Sequence, residues 1–398
     1  MKGKLLAFIV VLSLFVTVVS VGNPAHSFVE EPIGPTRILN TSQTDPRIVI
    51  SSNIELAEQS SAGVGTRSDP YIIEGKTINS SLPCVSIYDT TAFFVIRDSE
   101  FIHEASESVY GEISTIHLSR IEHGIIENCH IRGGDVGIEI RESTDCSIID
   151  SIIYDAYNGI VLDSSNNNTI VNCSIFSNTM GVMILTSNFC NIIGSSIYSN
   201  SQQGVYVSIF SENNTIAGNS IGWNAFQNAQ DNGVNTTFTD SIRFGNEWSN
   251  YNASENYAIP GSGNSIDTFA SQLTDSARPI INELPDLVIE FDIDGNTLTW
   301  VPSDRFHNGY QIHLNNFPVE IGTWDGNAIT FSLDGLDIGT HVIILYVMDG
   351  AGNVASDEVV MSVMSFILGG IGTELVMLAS GVTVVIFLLV IIIIKKFP

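Results

Sequence analysis

Four side chains form the best candidate for surface chemistry in this chain: His117, Glu139, Arg141 and Asp163. His117 and Glu139 are 22 residues apart, and so are Arg141 and Asp163. In a chain that repeats with this period, each pair stands on adjacent rungs and all four share one face. An imidazole beside a carboxylate, with a guanidinium close by, could hold a carbohydrate or a cation. The simpler expectation is a solvated face laced by ion pairs between rungs. Cleavage of a polysaccharide asks for more. A Ca²⁺-dependent lyase clusters carboxylates around its metal and sets Arg or Lys beside the uronic acid, while a hydrolase converges carboxylates on one glycosidic bond. No Asp-Asp pair and no Gly-His-Gly run occurs in the repeated region, so no catalytic residue is assigned. Asp292-Ile293-Asp294-Gly295 and Asp349-Gly350-Ala351-Gly352-Asn353 carry Ca²⁺-type ligands but no glutamate at the twelfth position. Asx turns are expected there, with at most loosely bound Ca²⁺ and no cofactor.

The elements that position these residues follow from an internal repeat. Ile126, Ile148, Ile170 and Ile192 are spaced by 22, with Ile216 following at 24; Ile131, Ile153, Ile175, Ile197 and Ile221 keep the same beat. A third column runs Ile116, Ile138, Ile160, Val182, Val205, and a fourth Leu118, Ile140, Leu162, Ile184, Val207. Gly137, Gly159, Gly181 and Gly204 accompany the third. Ile138-Glu139-Ile140 and Ile160-Val161-Leu162 alternate with period two, as half-buried strands do. Asp163-Ser164-Ser165-Asn166-Asn167-Asn168 reads as a turn. Nothing between strands is long or periodic enough for a crossover helix. Short strands, tight turns and stacked aliphatic columns predict a parallel β-helix over 47–222, with terminal coils and an end cap over 223–276.

Cysteine spacing gives a corollary. Cys129 and Cys173, like Cys146 and Cys190, are 44 residues apart, hence two coils apart in one column. Two coils span roughly 9.6 Å at about 4.8 Å each, beyond the roughly 7 Å between Cα atoms that a disulfide tolerates. No disulfide is expected between them.

The coils resemble the right-handed β-helix repeats of the NosD-like and pectate-lyase-like superfamily. The segment from Gly63 to Gly75, containing Arg67-Ser68-Asp69-Pro70-Tyr71, is similar to the opening coil of many archaeal surface members. Gly245-Asn246-Glu247-Trp248-Ser249-Asn250-Tyr251, followed by Tyr257 to Gly261 and Asp267, resembles a NosD-like end cap. The resemblance implies a fold that hosts lyases, hydrolases, isomerases, adhesins and spacers, so it implies no one activity. It also implies an association with copper delivery. The cysteines, however, are spaced as core columns and the eight histidines form no His-x-His run, so no metal site is assigned.

Beyond Arg278-Pro279 the beat stops. Longer apolar or alternating runs at 287–291, 297–300, 310–314, 328–331, 341–347 and 359–363, separated by Asp-Gly turns, predict an Ig-like β-sandwich over 277–364. The expected fold class is thus all-β, a right-handed parallel β-helix followed by an Ig-like sandwich, with a C-terminal transmembrane helix. That helix is 375–394, 20 uncharged residues that make roughly 30 Å at about 1.5 Å each. A linker, 365–374, precedes it and the cytoplasmic tail 395–398 follows, with Lys395 and Lys396 staying inside. Residues 1–27 read as a signal peptide and 28–46 as a linker. Acceptor sequons at Asn40, Asn79, Asn167, Asn172, Asn213, Asn235 and Asn252 agree with an outward location. The chain carries 43 acidic against 15 Lys and Arg residues, a net charge of −28, which excludes a nucleic-acid partner. The expected protein is an anchored cell-surface β-helix that binds a polysaccharide or surface glycoprotein. The alternatives are an anchored polysaccharide lyase or glycoside hydrolase, and a structural envelope component.

Overall fold

The computed structural model describes residues 44–104, 113–240, 244–252 and 256–365. The first part is a parallel β-helix of about eight coils, whose strands form three parallel sheets of eight, seven and nine members. We call these the front, second and third sheets. The front sheet runs from Ile48–Ile50 to Gln227–Asp231, each strand pairing with the corresponding strand of the next coil. The aliphatic columns are in register: Ile126 pairs with Ile148, Ile148 with Ile170, Ile170 with Ile192 and Ile192 with Ile216. All five are 0 % exposed. The Ile131 and Ile116 columns stack in the same way.

The glycine column has a steric cause. A methyl group on Gly137 would lie 2.7 Å from the Gly159 carbonyl oxygen, and one on Gly159 would lie 2.6 Å from that of Gly181. Here the start of a front-sheet strand, just past the turn that leads into it, sits directly against the backbone of the next coil, and only glycine fits. Other turns are bound by side chains that repeat with the coil. The Ser165 hydroxyl receives the Ser143 N–H at 3.0 Å, Ser187 receives that of Ser165 at 2.9 Å, and Asn178 and Asn200 satisfy the same need elsewhere. These ladders satisfy turn amides that would otherwise be buried without partners.

A seven-residue helix, Asn53–Gln59, enters the first coils, with Ser52 as N-cap receiving the Glu55 N–H. At the far end the third sheet continues through Glu247–Trp248 to Ser271–Gln272. There the buried Asp267 carboxylate accepts from the Asn246 N–H at 2.7 Å and the Trp248 indole at 2.9 Å. All five cysteines are free and buried. Burial pushes the thiols of Cys84, Cys129, Cys146 and Cys173 up to about 12 and that of Cys190 to about 11.

The second part is a β module of one five-stranded and one two-stranded sheet around Trp300, Trp324, Ile312, Leu345 and Met361. Its first strand, Leu287–Glu290, pairs in parallel with its last, Val354–Met364. The strand Phe317–Thr323, which the sequence reading passes over, forms an edge of the sheet, the position where a proline such as Pro318 is tolerated. This module docks on the outer side of the third sheet. Tyr154, Phe176 and Tyr198 stack at 5.6 and 5.1 Å, and Phe306 meets Tyr198 edge-on at 5.2 Å. Around that aromatic seam the Tyr154 hydroxyl donates to Asp325 at 3.0 Å and Arg305 donates to Ser220 at 2.8 Å. Among the described residues no helix is long and apolar enough to cross a membrane. The expected span 375–394, the signal peptide 1–27 and Asn40 lie outside the described residues.

Candidate functional site

The four singled-out residues all lie on the outer face of the front sheet, and the structure joins them as two pairs. Strand Ser114–Ile121 carries His117 and strand Val136–Arg141 carries Glu139, directly opposite in register. His117 Nδ1 donates to Glu139 Oε2 at 2.7 Å, and the Ser114 hydroxyl donates to the same oxygen at 2.6 Å. Burial pushes the Glu139 carboxyl up, but the His117 and Ser114 hydrogen bonds outweigh it and hold the group below its ordinary range. The Tyr88 ring lies 5.3 Å from the His117 ring. Arg141 stands opposite Asp163, with 3.6 Å between Nε and the carboxylate.

Sequence reasoning missed a second row on this sheet. Ser114, Val136, Asn158 and Met180 pair in succession, and Gln203 pairs with Gln227 further along. The side-chain oxygens of Asn158, Gln203 and Gln227 are themselves buried and have no hydrogen-bond partner, although the rest of each residue stays partly exposed. The signal was a polar residue just before Gly159 and Gly204, where Val136 and Met180 precede Gly137 and Gly181. Beside this row runs an open groove of about 440 Å³ along the turns, lined by Asp155, Tyr157, Ser177, Thr179, Ser199 and Ser201.

The sequons occupy other surfaces. Asn167, Asn172 and Asn235 are exposed on turns flanking the second sheet, and Asn213 shares the turn column of Asn167 and Asn235, accepting from Asn235 at 3.3 Å. Asn79 is exposed in strand Thr77–Ser80 and its amide donates to Glu104; Asn252 is exposed near the end cap.

Among the described residues, one group of three His, Cys, Asp or Glu side chains comes close enough to share an ion. It is Asp275, Asp304 and Asp349, with one oxygen from each within 4.8 Å of the others. Burial, and then the charges of Asp275 and Asp349, push the Asp304 carboxyl up. Asp349 is also occupied locally: it accepts the Asn353 N–H and side-chain amide, both at 2.8 Å, in the expected Asx turn.

Parallel coils, three sheets and stacked aliphatic columns define the class as a parallel β-helix protein. A family model described as "Periplasmic copper-binding protein (NosD)" matches residues 41–258. The chain belongs to the NosD family. No curated protein matches it. Among solved structures it is similar to the A-module of mannuronan C-5 epimerase AlgE6 of Azotobacter vinelandii, at 17 % identity and a TM-score of 0.31, covering 51 % of this chain and 65 % of that one. It is also similar to the periplasmic alginate epimerase AlgG, at 15 % identity, a TM-score of 0.34 and coverage of 61 % and 49 %. Tailspike protein 2 of bacteriophage CBA120 is matched at 12 % identity with a TM-score of 0.29, covering 72 % of this chain and 62 % of that one. The chain thus spans less than two thirds of each of these three structures.

The residues present do not fit copper. Soft ligands would have to come from Cys, Met or His. The thiols are buried in core columns, where Ser151 stands between Cys129 and Cys173, and Asn168 between Cys146 and Cys190. Two Met-x-x-Met pairs were passed over in the sequence: Met180/Met183 and Met361/Met364. Met361 is buried in the second module. Met180 and Met183 lie on the front sheet with Asn158, Val161 and Tyr206 opposite them, none of which completes a soft set. The Asp275 group offers hard oxygens, which suit Ca²⁺ or Mg²⁺.

Proposed function

We propose that the front sheet is a non-catalytic glycan-binding platform on an outward-facing, membrane-anchored protein, with the second module as an Ig-like spacer. The observation that carries this reading is the row of buried, unpartnered amide oxygens at Asn158, Gln203 and Gln227 beside a groove lined in part by Tyr157, Thr179 and Ser201. Polar groups left without partners are rare, and a ligand rich in hydroxyls would satisfy them. Tyr88 and Tyr206 on the same sheet offer apolar ring faces to a sugar. Coils rising by about 4.8 Å present these groups at regular steps, suited to a polymer. The uncharged run 375–394 would hold the protein at the membrane, and Asp275, Asp304 and Asp349 would loosely gather Ca²⁺.

The test is incubation of the full chain with a polysaccharide panel, scoring retention and product ends together. Retention without new ends is expected. A second reading, polysaccharide cleavage, is favoured by the His117–Glu139 pair: a base oriented by a carboxylate is a common catalytic arrangement. New reducing or unsaturated ends, abolished by His117→Ala, would establish it in place of the binding role.

A further inference from the structure

We infer that the front sheet selects neutral glycans and rejects polyuronates and other acidic polymers, an inference that rests on the glycan-binding reading. Three independent features lead to it. The guanidinium groups along this face are already neutralised. Arg120 binds Asp89 through two bonds of 2.7 and 3.0 Å, and Arg141 faces Asp163 at 3.6 Å. An acidic sugar would have to displace these intramolecular carboxylates to reach a cation. The second feature is the carboxylate Glu139, which engages His117 through Nδ1 and so sets a negative group at the centre of the face. With a net charge of −28 on the whole chain, the approach of a polyanion is opposed at long range as well. The third feature is chemical. The unsatisfied groups of Asn158, Gln203 and Gln227 are oxygens, which need donors. An ionised carboxylate is an acceptor only, whereas a neutral sugar hydroxyl donates. These oxygens are buried as they stand, but the terminal torsion of an Asn or Gln side chain is broad, so a bound chain draws them outward by rotation of the amide.

The experiment compares retention of the full chain on immobilised neutral polymers (mannan, xylan, β-glucan) and acidic ones (alginate, polygalacturonate). It is run at low salt and at about 150 mM, where the Debye length falls to about 8 Å. At least one neutral polymer is expected to bind with little salt dependence, and neither acidic polymer at either salt. Acidic binding equal to or stronger than neutral binding would overturn the selectivity while leaving a glycan platform standing. Failure of every polymer would remove the platform itself. Two variants, each checked for an unchanged thermal melt, sharpen the result. Gln203→Ala with Gln227→Ala should weaken neutral binding at least tenfold, and unchanged affinity would overturn the donor argument. Asp89→Asn with Asp163→Asn frees Arg120 and Arg141 and should create alginate retention at low salt. No gain would overturn the claim that paired arginines exclude acidic chains.

Discussion

Ile148→Ala probes the physics on which the whole fold stands. Ile148 is 0 % exposed and lies in register between Ile126 and Ile170 on the second sheet. The substitution removes three carbons from the core, a transfer loss of about 2.4 kcal/mol at about 0.8 kcal/mol each. A cavity term adds to it, because the coils on either side are held by their own parallel ladders and cannot collapse into the gap. The total should reach about 3–4 kcal/mol, within the range measured for buried isoleucines. Ile149 is the internal control: it is the next residue, faces outward and is partly exposed. The same truncation there should lose less than about 1 kcal/mol. Urea unfolding of the full-length variants, followed by circular dichroism at matched slopes, reads the difference directly. Equal losses, or a larger loss at Ile149, would refute the inward stacking and with it the face on which the site is built.

Gly159→Ala should destabilise by about 1–3 kcal/mol, because the added methyl meets the Gly181 carbonyl at 2.6 Å; a thermal melt unchanged from the parent would show that the coils can part without cost. At the module junction, burial pushes the Asp325 carboxyl up, but His130, the Asn327 N–H and the Tyr154 hydroxyl prevail and hold it at about 2. A lowered folded-state value stabilises above the unfolded carboxyl range and is lost as pH falls through about 2, for a contribution of about 2 kcal/mol at neutral pH. Asp325→Asn should therefore lower urea stability at pH 7 by that amount and close the gap near pH 2; a gap that persists there would contradict the ionic account. The five cysteines should resist a thiol reagent in the native protein and react fully in denaturant, so rapid native labelling would place at least one outside the core columns.

Much of the β-helix was legible because its information is local and repeated. A spacing of 22 fixes both the columns and the face shared by His117, Glu139, Arg141 and Asp163, since neighbours in register differ by one coil. The Ser114 contact to Glu139 was not legible, because Ser114 lies one coil back in a different column. The helix Asn53–Gln59 was missed although Ser52 and Glu55 carry its start signal, since seven residues hold too little periodicity to stand out. Strand Phe317–Thr323 was hidden by Pro318, which argues against a strand until its edge position is known. The parallel pairing of Leu287–Glu290 with Val354–Met364 joins the two ends of the module, and no short-range pattern announces it.

The aromatic seam shows how these two kinds of information meet. Tyr154, Phe176 and Tyr198 are spaced by 22 and point away from the core, so the repeat alone would leave three rings facing water. Their burial comes from Phe306, 108 positions beyond Tyr198, and from polar contacts such as Thr323 to Asp155 at 2.6 Å and Ser177 to Asn308 at 3.2 Å. An outward aromatic column on a solenoid is thus a docking signal whose partner the sequence does not name. The consequence for function is one of elimination among three sheets. The third sheet is covered by the second module along Tyr154, Phe176 and Tyr198, and the second is bordered by the sequons at Asn167, Asn172, Asn213 and Asn235. The front sheet bears no sequon on its strands, and it carries the His117–Glu139 pair together with the three unpartnered amides. On the proposed reading, a ligand that runs along the coils would meet its hydrogen-bonding groups there.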